Sequence, residues 1–314
     1  MTSQKGLQSI VTTSSFLLPV AAVCCALIWI FSNSPKDSSH WVGLAFCALC
    51  TYLMAELNNS YMLIRVRTRM VATTFLVLWT CCGFLYPAQY AHVGVLCMIL
   101  IYHALFHCYQ LTQTAGVTFF IFLLLGTASI FIQPLILLVP VLYVMLGYFR
   151  TLSFKSFLAG ILGCLLPFWL SISICFLTDR MDLIWNYVTN YSQWVPFLYQ
   201  AVTLPWGIAF GVLLVLVIPG MVNFLRNSYK DKIRTRTFFY VFLWMELILL
   251  ILMLVLPHLF PEFYLLLVLN GCPLIAHFFT LTGNKFSNIF FKVTLLVLLL
   301  LLICNLWMPS YSFS

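Results

Sequence analysis

RNSYKDKIRTRTFFYVFLWMELILLILMLVLP, residues 226–257, decides the fold. Its first part carries Arg226, Lys230, Lys232, Arg234 and Arg236, relieved only by Asp231; from 237 to 257 the one charged residue is Glu246. About 20 mostly apolar residues rising 1.5 Å each cross the roughly 30 Å hydrocarbon layer of a bilayer. A basic loop that gives way to such a run reads as a transmembrane helix entered from the cytoplasmic side.

The same alternation recurs along the chain. Apolar runs bounded by turn-forming residues lie near 15–32, 41–56, 70–86, 91–108, 115–132, 135–149, 156–177, 199–225, 237–257, 262–281 and 288–307. Pro87, Gln133-Pro134, Pro257 with Pro261, and Thr282-Gly283-Asn284 punctuate them, because proline lacks a donor and glycine tolerates unusual dihedrals. Of the 314 residues 63% are hydrophobic and 7% charged, far below the roughly 25% charge of a soluble domain. A soluble fold is excluded. The expectation is one integral domain over 1–314, an all-α polytopic transmembrane bundle of about eleven helices.

Basic residues orient it. Arg65, Arg67 and Arg69; Arg150 and Lys155; the 226–236 cluster; and Lys285, with Lys292 just inside the last run, fall in alternate loops, whereas the other loops hold only Lys36 and Arg180. The positive-inside rule then puts the N-terminus in the cytoplasm and the C-terminus in the periplasm of a bacterial inner membrane. The cations are scattered among short loops and build no nucleic-acid surface. The first run, Ser15 to Ser32, follows a lone Lys5 and has neither a small-x-small cleavage pattern nor a small residue before Cys24; it reads as a retained helix.

Four of the seven acids, Asp37, Asp179, Asp182 and Glu262, share the periplasmic side. Acids contribute little to topology, so this bias invites a functional reading beside that of solvated loop residues. The stretch Thr178 to Pro196 adds Arg180, Asn186, Asn190 and Gln193, with Trp185, Tyr187, Tyr191 and Trp194 at roughly helical spacing, the signature of an amphipathic interfacial helix. It reads either as a platform or as a lid over a lipid-linked substrate.

Inside the membrane, Glu246 lies about nine residues from the start of its run, roughly 14 Å deep. A carboxylate there costs about 2.5–3.5 kcal/mol on insertion scales, so it is protonated, paired or wetted. Ion or proton coupling would use such a residue; an interhelical hydrogen bond would also account for it. His103 and His107, one turn apart, and His277 in the same half could bind metal or haem, or be satisfied by polar neighbours such as Tyr102, Tyr109 and Gln110. Cys47-x-x-Cys50 has redox spacing but sits in an apolar run, where thiols pack as small hydrophobes. Glu56, Asn58, Asn59, Tyr61, Arg65, Arg67 and Arg69 form the densest polar cluster. Its arginines could grip a lipid phosphate, or Glu56 could pair with one of them in an ordinary charged loop. An echo links Arg67-Thr68-Arg69 and Trp79 to Arg234-Thr235-Arg236 and Trp244, a spacing that a transporter repeat or positive-inside selection would each produce.

Phe119-Phe120-Ile121-Phe122, Gly126-Thr127-Ala128-Ser129, Gln133-Pro134, Tyr148-Phe149-Arg150 and Leu158-Ala159-Gly160 to Pro167 together resemble a segment of GT-C-type membrane glycosyltransferases. The whole chain, with Asn58-Asn59 and Arg65 to Arg69, resembles a family of multi-pass inner-membrane proteins of Bacteroidota. The first resemblance implies a periplasmic-face transferase of a polyprenyl-phosphate-linked sugar. It gives the general base to Asp37 and leaves substrate contacts to Lys36, His40, Asp179, Arg180, Asp182 and Glu262, the acids being available to a divalent metal. Its first outer loop is shorter than such enzymes usually have. Two other classes stay open, a non-catalytic subunit or assembly factor of an envelope complex with a membrane-protein partner, and an ion-coupled transporter using Glu246.

Overall fold

The computed structural model describes residues 7–32, 38–87, 89–111, 113–192 and 202–307. All regular structure among them is helical, with no strand: α1 (Leu7–Thr13), α2 (Leu17–Ser32), α3 (Ser38–Tyr61), α4 (Met70–Thr80), α5 (Tyr90–His107), α6 (Ala115–Phe131), α7 (Leu138–Tyr148), α8 (Phe154–Leu177), α9 (Met181–Ser192), α10 (Leu204–Asn227), α11 (Ile233–Val255), α12 (Phe260–Leu281) and α13 (Lys285–Trp307). Seven of them, α3, α5, α8 and α10 to α13, are long and apolar enough to cross a membrane. An eighth results if α1 and α2, bent by 91° at their junction, count as one span. The remaining expected spans are shorter apolar helices: α4, α6, and α7 with its preceding 3-10 turn. The architecture is that of a multi-pass membrane protein.

At the centre stands α12, buried around nearly its whole circumference from Phe263 to Phe279. It packs on α10, α11, α4 and α5, as expected of a helix apolar on all sides. Close approach to α10 is set by Gly220, where a Cβ would come 2.9 Å from the Leu274 carbonyl oxygen. A second, tighter pair is α6 with α8. A Cβ on Gly126 would lie 2.6 Å from the Cys164 carbonyl oxygen, and one on Gly163 would collide with the Phe119 carbonyl. With no hydrophobic drive between helices in lipid, such small-residue contacts let backbones approach and pack.

Helix ends follow local chemistry. Ser153 and Ser156 form a capping box at the start of α8, Ser156 N donating to Ser153 Oγ at 3.2 Å and Ser153 N to Ser156 Oγ at 2.7 Å. At the ends of α7 and α8 the chain turns through left-handed residues that are not glycine, Arg150 at φ 59° and Asp179 at φ 53°. Thr151 N donates to Leu146 O (3.1 Å) and Arg150 N to Gly147 O (2.9 Å); Arg180 N donates to Cys175 O (2.9 Å) and Asp179 N to Phe176 O (3.4 Å). Both are Schellman closures.

The amphipathic stretch after α8 is helical as expected over Met181–Ser192. It is anchored by Gln133 Nε2 donating to Tyr187 O (3.0 Å) and Tyr187 OH donating to Ser129 O (3.0 Å). Gln193, Trp194 and Pro196 lie outside the described residues.

Candidate functional site

The loops that hold most of the cations are tied together at one end of the bundle. Asn58 Nδ2 donates to Thr68 O (2.9 Å), and Thr68 Oγ1 donates to Thr12 O (2.6 Å). Gln8, 3% exposed, reaches from α1 to donate through Nε2 to Phe279 O (2.6 Å) and Thr282 O (2.7 Å), and accepts from Ser287 Oγ at 3.0 Å. The Arg234 guanidinium lies 5.9 Å from the Tyr61 ring centre and 5.4 Å from that of Phe238, within cation–π range. These contacts gather the turns after α3, α10 and α12 into a basic end.

Between those turns opens a polar cleft of about 200 Å³. Arg65 comes from the turn after α3, Asn223 and Asn227 from one face of α10, Lys230 and Asp231 from the turn beyond, His277 from α12, and Thr282, Gly283 and Asn284 from the α12–α13 turn. Asn223 and Asn227 face together because they are four residues apart on a helix; Asn227 Nδ2 donates to Asn223 Oδ1 (2.9 Å) and Lys230 Nζ to Asn227 Oδ1 (3.0 Å). His277 Nε2 pairs with Asp231 Oδ2 at 2.9 Å, while its Nδ1 is buried without a partner. The imidazole, 1% exposed, is held edge-on by Phe239 (centroids 4.8 Å) and Phe224 (5.7 Å). Among the described residues no carboxylate lies within ion-pair distance of Arg65 or Lys230. Two cations and the amide side chains of Asn223, Asn227 and Asn284 therefore line a hollow whose one carboxylate is already engaged. Such a cavity suits an anion with several oxygens, above all a phosphate.

A second cavity, about 540 Å³ and almost wholly apolar, runs between α7 and α11. Val144, Met145 and Tyr148 form one wall and Tyr240, Trp244 and Ile248 the other. Val144, Tyr148 and Trp244 are more than half exposed, so the groove opens sideways from the bundle. One ring separates groove from cleft: Tyr240 is edge-on to Phe224 at 5.4 Å, and Phe224 to His277 at 5.7 Å.

The residues singled out in the sequence fare unequally. Arg65 lines the cleft; Arg67 is exposed and Arg69 half-buried, and neither lines it. Glu56 accepts from Ser60 Oγ at 2.7 Å and pairs with none of the three arginines. Asp37 and Lys36 lie outside the described residues. His40, 5% exposed, donates through Nε2 to Trp29 O (3.0 Å) and packs against Trp29 and Tyr86, an environment of core packing. Asp179 and Arg180 complete the turn that ends α8, and Asp182 is exposed in the first turn of α9. Glu262, half-buried in the first turn of α12, has Oε2 buried without a partner. Neither cavity is lined by Asp179, Arg180, Asp182 or Glu262. His103 donates to Leu53 O at 3.2 Å and His107 is exposed; among the described residues no three His, Cys, Asp or Glu side chains gather as a metal site. Cys47 and Cys50 are buried free thiols.

Asn223, Asn227 and Asp231 escaped the sequence reading as members of a site, and His277, read there as a possible metal or haem ligand beside His103 and His107, pairs instead with Asp231. Asn223 and Asn227 carry a signal, two amides one turn apart at the end of an apolar run. The Asp231–His277 pair joins residues 46 apart and has none. The chain matches no family model, no curated protein and no solved structure.

Proposed function

We propose that this chain binds a phosphate-bearing lipid of the polyprenyl-phosphate type in a bacterial inner membrane, the phosphate in the basic-end cleft and the tail in the α7–α11 groove. The observation that carries the reading is the cleft itself, where Arg65 and Lys230 have no carboxylate partner among the described residues and stand beside Asn223, Asn284 and the Thr282–Gly283 turn. An apolar groove one ring away supports a ligand with a phosphate head and hydrocarbon tail.

The reading includes about eleven crossings, with the basic end cytoplasmic and the C-terminus periplasmic. Supporting this, the contacts of Gln8, Asn58 and Arg234 collect basic loops at one end, as the positive-inside rule requires. The glycosyltransferase resemblance adds sugar transfer at the periplasmic face with Asp37 as base; a lipid whose phosphate sits at the cytoplasmic end is out of reach of that base, so the cleft supports lipid binding alone.

The test is retention of polyprenyl phosphate by the purified protein, followed by native mass spectrometry with phosphatidylglycerol and inorganic phosphate as competitors. A charge-assisted contact to phosphate contributes about 1.5–3 kcal/mol, so Arg65→Gln and Lys230→Gln are each expected to weaken retention by roughly 10- to 100-fold. Equal retention by both variants overturns the cleft. Full displacement by inorganic phosphate shows a soluble anion to be the ligand instead.

A further inference from the structure

Glu246 is the fourteenth of the 23 residues of α11, midway along the helix. It is 1% exposed, and neither carboxylate oxygen has a hydrogen-bond partner among the described residues. It faces the backbone of α12, where a Cβ on Gly271 would lie 3.6 Å from its Oε1. The titratable groups that face it are Tyr102 of α5 and Cys272 of α12; Val217 of α10 crowds the same side of Gly271, its Cγ2 2.6 Å from where a Cβ would stand. Tyr102 does not donate to the carboxylate, because its hydroxyl donates to Asn270 Oδ1, and Asn270 Nδ2 in turn donates to Leu266 O at 2.8 Å. No Lys, Arg or His forms an ion pair with Glu246 among the described residues.

An ionised carboxylate in such a place loses its hydration and receives nothing in return, whereas the neutral acid loses far less. The neutral acid also has a donor to offer. Pro273 interrupts α12 one turn past Leu269 and supplies no N–H to that carbonyl, leaving an acceptor beside Asn270 and Gly271. Two helical turns further along α12 the His277–Asp231 pair stands at the wall of the basic-end cleft.

We propose that Glu246 is an exchangeable proton-binding site on the seam between α11 and α12, occupied by a proton in the closed arrangement seen here and emptied when the seam is wetted. The site is independent of the lipid reading. It gives the bundle a titratable group where its central helix meets a neighbour, so a movement of α11 against α12 takes up or releases one proton.

The chain has three glutamates, Glu56, Glu246 and Glu262, which makes the site addressable without altering it. A protein carrying Glu56→Gln and Glu262→Gln, labelled with carbon-13 glutamate and placed in lipid nanodiscs, reports Glu246 alone in the infrared. The expected result at neutral pH is a protonated-carboxyl carbonyl band that moves with the label and moves again on transfer to D2O. A spectrum with only ionised carboxylate bands overturns the proposal. So does a protonated band that stays unexchanged in D2O for days, which would make the acid a sealed structural donor. Glu246→Gln, shaped like the neutral acid, is expected to retain the fold and the melting temperature while the band disappears; retention of the band in that variant also overturns the assignment.

Discussion

Asp179 illustrates how one residue can be read for chemistry and serve architecture. In sequence it is an acid on the acidic face; in the fold it is the left-handed residue that lets α8 stop and Arg180 close back on Cys175. A left-handed L-residue costs about 1–2 kcal/mol, less for aspartate than for most, so Asp179→Gly is expected to raise stability by about 0.5–1 kcal/mol. Chemical or thermal unfolding in detergent measures this; a loss of stability would show the carboxylate to be making contacts of its own. Arg65, by contrast, lines the cleft and has no ion-pair partner among the described residues. The sequence showed it as one of three equivalent arginines, and nothing local separates it from Arg67 and Arg69. What selects Arg65 is the arrival of α10 and α12 from more than 150 residues away, and no short-range pattern encodes that.

At the level of elements, the apolar runs were legible because lipid imposes one rule on every span: backbone groups are satisfied internally, so each run is a helix. Helix ends were less so. The run read as 70–86 is helical only to Thr80 and continues as a buried turn through Gly83–Leu85, since composition remains apolar wherever irregular backbone is shielded by protein. The α6–α8 contact was legible only as glycines in a resemblance, and its energetics are specific. Gly163→Val drives a side chain into the Phe119 carbonyl, and overpacking of this kind costs about 1–3 kcal/mol. Gly147→Ala, where nothing lies within 4 Å of the added atom, is expected to gain about 0.5–1 kcal/mol through helix propensity. Melting temperatures of the two variants should move in opposite directions; equal shifts would mean that α6 and α8 do not approach this closely.

Over the whole molecule, cations and acids divide by face in the sequence, and the fold draws loops carrying cations into one end. Cysteine-labelling topology mapping should therefore find Arg67→Cys, Lys230→Cys and Lys285→Cys protected from an impermeant thiol reagent added outside intact cells, and Arg180→Cys labelled. Labelling of the first three would invert the orientation. The Gln8 clamp gives this end a further property. The carbonyl of Thr282 accepts from Gln8, while Thr282 also forms part of the cleft wall, so α1 and whatever fills the cleft hold one turn from its two sides. Binding equilibria that share an element are reciprocal: an occupant that steadied Thr282 would tighten α1 against the bundle, and fraying of α1 would loosen that occupant by the same factor. On the proposed reading, α1 would be thermodynamically linked to the occupant of a cleft lined by the turn after α3 and by α10 and α12.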